Sequence, residues 1–298
     1  GSGATNKADT LTVTATSSNP GLIPNPTVNY SSPNVTGSLS LTPAANANGS
    51  ATITVTVNDG QIANNTVSRT FTVTVTPGND APTLGGISNV AINEDSGAQS
   101  VSLSGIGAGA ANESQTLSVT ATSSNPSLIP NPTASYTSPS ATGSLNFTPA
   151  ANATGVATIT VTVNDGQSTN NTAIQTFAIT VNPVNDAPTL NALSNVGVTE
   201  NASAQTVNLS GIGTGAANES QTLAITATSS NPSLIPNPTV NYTSPNATGS
   251  LSFTPAADAN GSATITVTVN DGQAANNTVT RTSVVSVSSV NNAPTLNA

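Results

Sequence analysis

Cysteine, histidine, methionine and tryptophan are all missing from this 298-residue chain. Without Cys there is neither a disulfide nor a thiolate metal site. Without His or Cys, no Ser-His-Asp or Cys-His nucleophile can be assembled. Basic residues are scarce as well: Lys7, Arg69 and Arg281 stand against twelve acidic residues, giving a formal charge of −9. That leaves no positive patch for phosphates or nucleic acid. Residues 79–290 contain no Lys, which closes Lys-dependent isopeptide cross-linking there. No apolar run approaches the roughly 18 residues of a membrane-spanning helix, and no signal peptide is visible. Charged residues make up only 5% of the chain, yet 35% is hydrophobic. The apolar residues alternate with Thr and Ser, as expected of a chain that folds.

The strongest positive feature is internal repetition. Asn-Asp-Ala-Pro-Thr-Leu begins at positions 79 and 185 and Asn-Asn-Ala-Pro-Thr-Leu at 291, each 106 residues after the last. Ala121 to Thr133 recurs unchanged as Ala227 to Thr239, and with one substitution, Gly21, as Ala15 to Thr27. Solenoid units are usually about 20–50 residues, whereas about 100 suits a whole immunoglobulin-like sandwich. The register predicts a partial copy at 1–78, complete copies at 79–184 and 185–290, and the start of another at 291–298. Gly1 to Asn6 aligns with Gly107 to Asn112, so copy one lacks the counterpart of residues 79–106. Its first strands are expected to be missing, with a bare sheet edge that upstream chain or a neighbouring molecule, head to tail, must cover. Residues 291–298 are too few to supply that complement.

Within a copy the hydrophobic period is 2. Ala157, Ile159, Val161 and Val163 alternate with threonines, the pattern of half-buried strands. In copy two strands are predicted over 87–93, 99–104, 115–122, 133–137, 143–148, 156–164 and 173–182, separated by turn residues at 94–97, 105–109, 125–132, 149–155 and 164–166. The expected fold is all-β, with tandem seven-stranded β-sandwiches arranged end to end. The expected core is Val101, Leu103, Leu117, Val119, Leu145, Phe147, Ile159, Val161, Val163, Phe177, Ile179 and Val181.

The chemistry-bearing residues that remain are acids, and most recur at corresponding positions. Asp80 and Asp186 lie in the linkers, Glu94 and Glu200 follow the first strand, Glu113 and Glu219 precede the third, and Asp59, Asp165 and Asp271 end the sixth. So few cations cannot neutralise them, whereas Ca²⁺ takes six to eight oxygens from carboxylates, amides and carbonyls. The bland alternative stays open: Asn-Asp-Gly as a hairpin turn, Asn-Asp-Ala-Pro as a linker turn, and the glutamates as solvated loop charges. A carboxylate pair could in principle hydrolyse glycosides, but no candidate stands apart from the repeated pattern, and the chain is read as non-enzymatic.

Three motifs give the chain a family likeness: Val184-Asn185-Asp186-Ala187-Pro188, Asn93-Glu94-Asp95 and Val163-Asn164-Asp165-Gly166. It resembles the bacterial tandem repeats of the cadherin-like, immunoglobulin-like kind found in large surface proteins and adhesins. That resemblance implies calcium at the junctions. At the second junction the ligands would come from Glu94, Asn185, Asp186, Glu219 and Asp271, and at the first from Asp80, Glu113 and Asp165. Asn112-Glu113-Ser114 stands where the family has Asp-x-Asp, and its Leu-Asp-Arg-Glu motif has no counterpart around Ala150 to Gly155. Asn292 replaces the linker Asp at the last boundary, and Ser283 stands where the other copies have Phe71 and Phe177. That end is expected to bind calcium and pack more weakly.

The functional expectation is a structural spacer or fibre-forming segment of a long extracellular, cell-surface or secreted protein, with neighbouring repeats as its partners. The alternative is an adhesive module for glycans or proteins. Three Tyr and no Trp offer few platforms for stacking sugars.

Overall fold

The computed structural model describes residues 9–291. The matching segment Gly1 to Asn6, Lys7, and residues 292–298 with Asn292 lie outside the described residues. Every regular element described is a strand. Copy one holds β1 (Thr12–Ser17), β2 (Thr27–Asn29), β3 (Ser38–Ser40), β4 (Gly49–Asn58) and β5 (Thr66–Val75). Copy two holds β6 (Val90–Asn93), β7 (Gln99–Ser104), β8 (Ser118–Ser123), β9 (Thr133–Ser135), β10 (Thr142–Phe147), β11 (Gly155–Asn164) and β12 (Thr172–Asn182). Copy three repeats this series as β13 (Val196–Thr199), β14 (Gln205–Ser210), β15 (Ala224–Ser229), β16 (Thr239–Asn241), β17 (Thr248–Phe253), β18 (Gly261–Asn270) and β19 (Thr278–Ser288).

In copy two the strands form a four-stranded sheet, β6-β12-β11-β8, facing a three-stranded one, β7-β10-β9. The first two strands therefore go to different sheets. Strand β6 runs parallel to β12, and β7 runs antiparallel to β10. Copy three has the same order, β13-β19-β18-β15 and β14-β17-β16. The long ladder β11–β12 runs from Gly155↔Val181 to Asn164↔Thr172. Asn164-Asp165-Gly166 is not a two-residue hairpin turn, because it opens a loop closed by the Asp165 N–H on the Asn171 carbonyl at 3.1 Å.

Period 2 decides which side chains are buried. Ala157, Ile159, Val161 and Val163 are all buried completely, as is Leu145 from the facing sheet. Phe147, Phe177, Ile179 and Val181 close over them, while Val101 and Val119 are only partly buried. Alternation missed the buried residues of the connections: Leu84, Ile106, Leu128 and Ile129. In the Pro-rich segment after β8, the N–H groups of Leu128 and Ile129 fold back onto the Asn125 carbonyl at 3.1 and 3.0 Å. This tight turn presents both side chains to the core. In copy three Ser283 takes the place of Phe177, yet it is buried, and its hydroxyl donates to the Ser194 carbonyl at 2.7 Å. A satisfied hydroxyl thus replaces an aromatic ring.

Among the described residues copy one has β1-β4-β5 and β2-β3. Phe71 is 42% exposed, against 2% for its counterpart Phe177. Removing a fully buried Phe side chain costs about 3–5 kcal/mol. Phe177→Ala should therefore destabilise copy two by an amount of that order, and Phe71→Ala should cost copy one much less. Amide hydrogen exchange of β11 and β4 reads the two copies separately.

Candidate metal centre at the repeat junctions

Each linker is bound to the copy it enters by the same set of contacts. Asn79 Nδ2 donates to Asp165 Oδ2 at 2.9 Å and to the carbonyls of Thr169 and Asn170. Asn185 Nδ2 reaches Asp271 Oδ2 at 2.9 Å and the carbonyls of Ala275 and Asn276. The next N–H along, that of Asp80 or Asp186, donates to Glu113 Oε1 at 2.8 Å or Glu219 Oε1 at 2.9 Å. Gln115 and Gln221 complete the set, each donating through Nε2 to the linker asparagine Oδ1 at 2.8 Å. These contacts require a glycine opposite the linker. A Cβ on Gly215 would sit 2.6 Å from the Ala187 carbonyl oxygen, and Gly215 has φ +113, a conformation that costs glycine nothing.

The second junction also has contacts between copies. Glu94 is only 2% exposed. Its Oε1 accepts from the Val184 N–H at 2.8 Å, and its Oε2 from Asn218 Nδ2 of copy three at 2.8 Å. The Asn152 N–H donates to Asp95 Oδ1 at 3.0 Å. With its amide turned to satisfy both neighbours, Asn152 Nδ2 also donates to Asp95 Oδ2 at 3.3 Å and Asp186 Oδ2 at 3.1 Å. At the end of copy three Glu200 repeats half of this pattern, accepting from the Val290 N–H at 2.9 Å. The stretch given of copy one carries no counterpart of Glu94, so among the described residues the first junction has no counterpart of the Glu94–Asn218 contact, and its buried carboxylate is Asp165.

The structure therefore brings Glu94, Asn185 and Glu219 together around a cleft of about 410 Å³, lined also by Asn218 and Gln221, while Asp186 meets Glu219 through its backbone N–H and turns its carboxylate to Asn152. Asp271 and Asp165 lie against the linker asparagines. Asp80 and Glu113 meet at the first junction through a backbone N–H. The donors at the second junction are oxygens, the chemistry of a hard cation. Glu219 Oε2 and Gln221 Oε1 are buried with no hydrogen-bond partner. Burial first, then the charges of Asp95, Glu219 and Glu94, hold the Asp186 carboxyl above the usual carboxylate range. Among the described residues, however, no three acidic side chains form a group able to hold a metal ion unaided. An ion here needs amide and carbonyl oxygens as well. The two described basic residues lie elsewhere, with Arg69 and Arg281 donating to the carbonyls of their neighbours Ser68 and Thr280.

Asn152, Asn218 and Gln221 were not legible as site residues, because neutral amides are common throughout this chain. Their one signal is register: Gln115 and Gln221, like Asn112 and Asn218, are 106 residues apart. Removing the donor to a buried carboxylate leaves an acceptor unsatisfied, at about 1–3 kcal/mol. Asn218→Ala should loosen the second junction, seen as faster exchange of the Val184 amide, whereas Asn112→Ala should leave the first unchanged.

The model of a family described as bacterial Ig domain matches residues 3–76, 79–180 and 185–284. No curated protein sequence matches. Among solved structures, the human desmocollin-1 ectodomain is similar at 15% identity, over 81% of this chain and 47% of that one, with a TM-score of 0.42. Protocadherin gamma B2 extracellular cadherin domains 3-6 give 17% identity over 94% of this chain and 69% of theirs, with a TM-score of 0.39. Mouse cadherin-23 EC22-24 gives 12% identity over 94% and 86%, with a TM-score of 0.39. The chain thus spans about half the length of the desmocollin ectodomain. With three matches that together take in most of its length, the chain belongs to the bacterial Ig domain family, as tandem β-sandwich repeats.

Proposed function

We propose that the chain is a structural spacer or fibre-forming segment of a long extracellular or cell-surface protein, without catalytic activity, and stiffened by calcium at its junctions. Its working units are residues 1–78, 79–184, 185–290 and the beginning of another at 291–298. The observation that carries the reading is the second junction, where Glu94 and Asn218 join copy two to copy three across a linker of a few residues. A chain built to hold neighbouring domains in fixed relation has use for such a contact. The absence of His and Cys and the recurrence of most acids at corresponding positions of the repeats support a non-enzymatic role.

Calcium at the second junction would be held by Glu94, Asp186 and Glu219 with the amide oxygens of Asn185 and Gln221, and would supply the positive charge these groups lack. The adhesive alternative has one feature in its favour, a polar groove lined by Asn208, Ser210, Asn241, Tyr242, Thr243 and Asn246. Tyr242, however, packs partly against the core of copy three, with its hydroxyl buried, which leaves less of its ring to stack on a sugar. A glycan array should accordingly be blank.

Like charges brought together out of water repel. Small-angle scattering should therefore show a longer, stiffer particle in calcium than in chelator, and Asp186→Ala should abolish most of the difference. Identical profiles with no metal found by elemental analysis would remove calcium from the proposal and leave the spacer standing.

A further inference from the structure

Three positions change kind together between copies two and three. The turn after β6 carries Asp95, the loop ahead of β11 carries Asn152, and the linker that follows copy two carries Asp186. In the 106-residue register their counterparts are Asn201, Asp258 and Asn292. Each acid has become an amide and the one amide an acid, so the loop residue stays opposite in kind to both of the others. Copy one has the first form, with Asn46 in the loop and Asp80 in the linker after it.

The contacts of copy two place Asn152 between the two acids. Its backbone N–H donates to Asp95 Oδ1 at 3.0 Å, and its Nδ2 donates to Asp95 Oδ2 at 3.3 Å and to Asp186 Oδ2 at 3.1 Å. Asp95 belongs to copy two and Asp186 to the linker that enters copy three. The two carboxylates are close enough that, after burial, the charge of Asp95 is the largest influence pushing the Asp186 carboxyl up. In copy three the backbone bond is kept, the Asp258 N–H donating to Asn201 Oδ1 at 3.1 Å, while the side-chain bond runs the other way, from Asn201 Nδ2 to Asp258 Oδ1 at 3.1 Å.

A primary amide offers two N–H donors, and an ionised carboxylate offers two oxygens that only accept. An amide between two acids can bridge both, and so can an acid between two amides. An acid between two acids bridges neither and repels both. We infer that the loop residue, Asn152 in copy two and Asp258 in copy three, is a clasp between a copy and the linker that follows it, and that its kind determines which linker it accepts. Asparagine takes a repeat that opens Asn-Asp, and aspartate takes one that opens Asn-Asn. Specificity of this sort comes as much from repelling the wrong partner as from holding the right one. The inference rests on the spacer reading and deepens it, because it gives near-identical sandwiches a rule for which may follow which.

Exchanging the two forms asks nothing new of the backbone. Asn152 and Asp258 have φ 53 and 55, and Asp95 and Asn201 have φ 58 and 62, in the left-handed region that Asn and Asp tolerate better than other side chains. The chain has no Cys, so Thr120→Cys on β8 and Thr226→Cys on β15, both exposed, carry spin labels that report on copies two and three alone. Pulsed electron paramagnetic resonance then gives the distribution of distances between the copies. The measurement is made in chelator, so that calcium contributes nothing to it.

Asn152→Asp should broaden that distribution roughly twofold, because three carboxylates then meet without a donor between them. Adding Asp95→Asn and Asp186→Asn, which installs the form of copy three, should return it to the original width. This rescue separates pairing from a loop residue that matters only for its shape. A distribution unmoved by Asn152→Asp overturns the inference, and so does a triple variant as broad as the single one. Either failure leaves the calcium-dependent scattering of the unsubstituted chain as it was, and a failure of that scattering leaves the result in chelator as it was.

Discussion

A carboxylate removed from water must be met by a cation or by N–H groups, and this chain has almost no cations. The junctions follow from that constraint. Glu94, at 2% exposure, is held by one backbone N–H and one asparagine amide. Glu219 takes the Asp186 N–H, and Asp271 takes the amide of Asn185. Each of these donors belongs to the linker or to the adjoining copy, so satisfying the acid and fixing the linker are one event. Hydrogen bonds to an ionised acceptor are about twice as strong as neutral ones, which suits them to positions where only a few contacts bridge two domains. At Asp186 burial first, and then the nearby carboxylates of Asp95, Glu219 and Glu94, raise the pKa.

The fold was legible where one residue in two is apolar. Ile159, Val161 and Val163 alternate with threonine, and the ladder they enter is continuous over ten residues. It was less legible where apolar residues sit in connections. Leu128 and Ile129 lie among prolines and asparagines, in a segment that reads as solvent-facing loop. They are buried because a tight turn directs two successive side chains inward, and a period-2 reading has no place for that. The start of the third strand was misread for a related reason: the apolar Leu117 lies just outside β8 yet is buried with the core.

The site was legible in its acids and illegible in its amides. Asp80, Asp165, Glu113 and their counterparts stand out in a chain that is 5% charged, and the repeat register assigns each to a junction. Asn218 and Gln221 do not stand out, because Asn and Gln occur in nearly every loop. What separates them from the rest is position, on the face of copy three that meets the end of copy two, and position is a property of the folded pair.

The two complete copies share one register of strand pairing, and Ala121 to Thr133 is identical to Ala227 to Thr239. Strand β8 and strand β15 thus carry much the same instructions, and the edge of β11 would accept either. Near-identical neighbours on one chain are prone to exchanging strands while they fold, a characteristic failure of repeat proteins. In the pairing of β8 with β11 and of β15 with β18 the register does not tell one copy from the other. The order in which the copies emerge during synthesis does, since copy two can close on its own strands before its twin exists to compete for them.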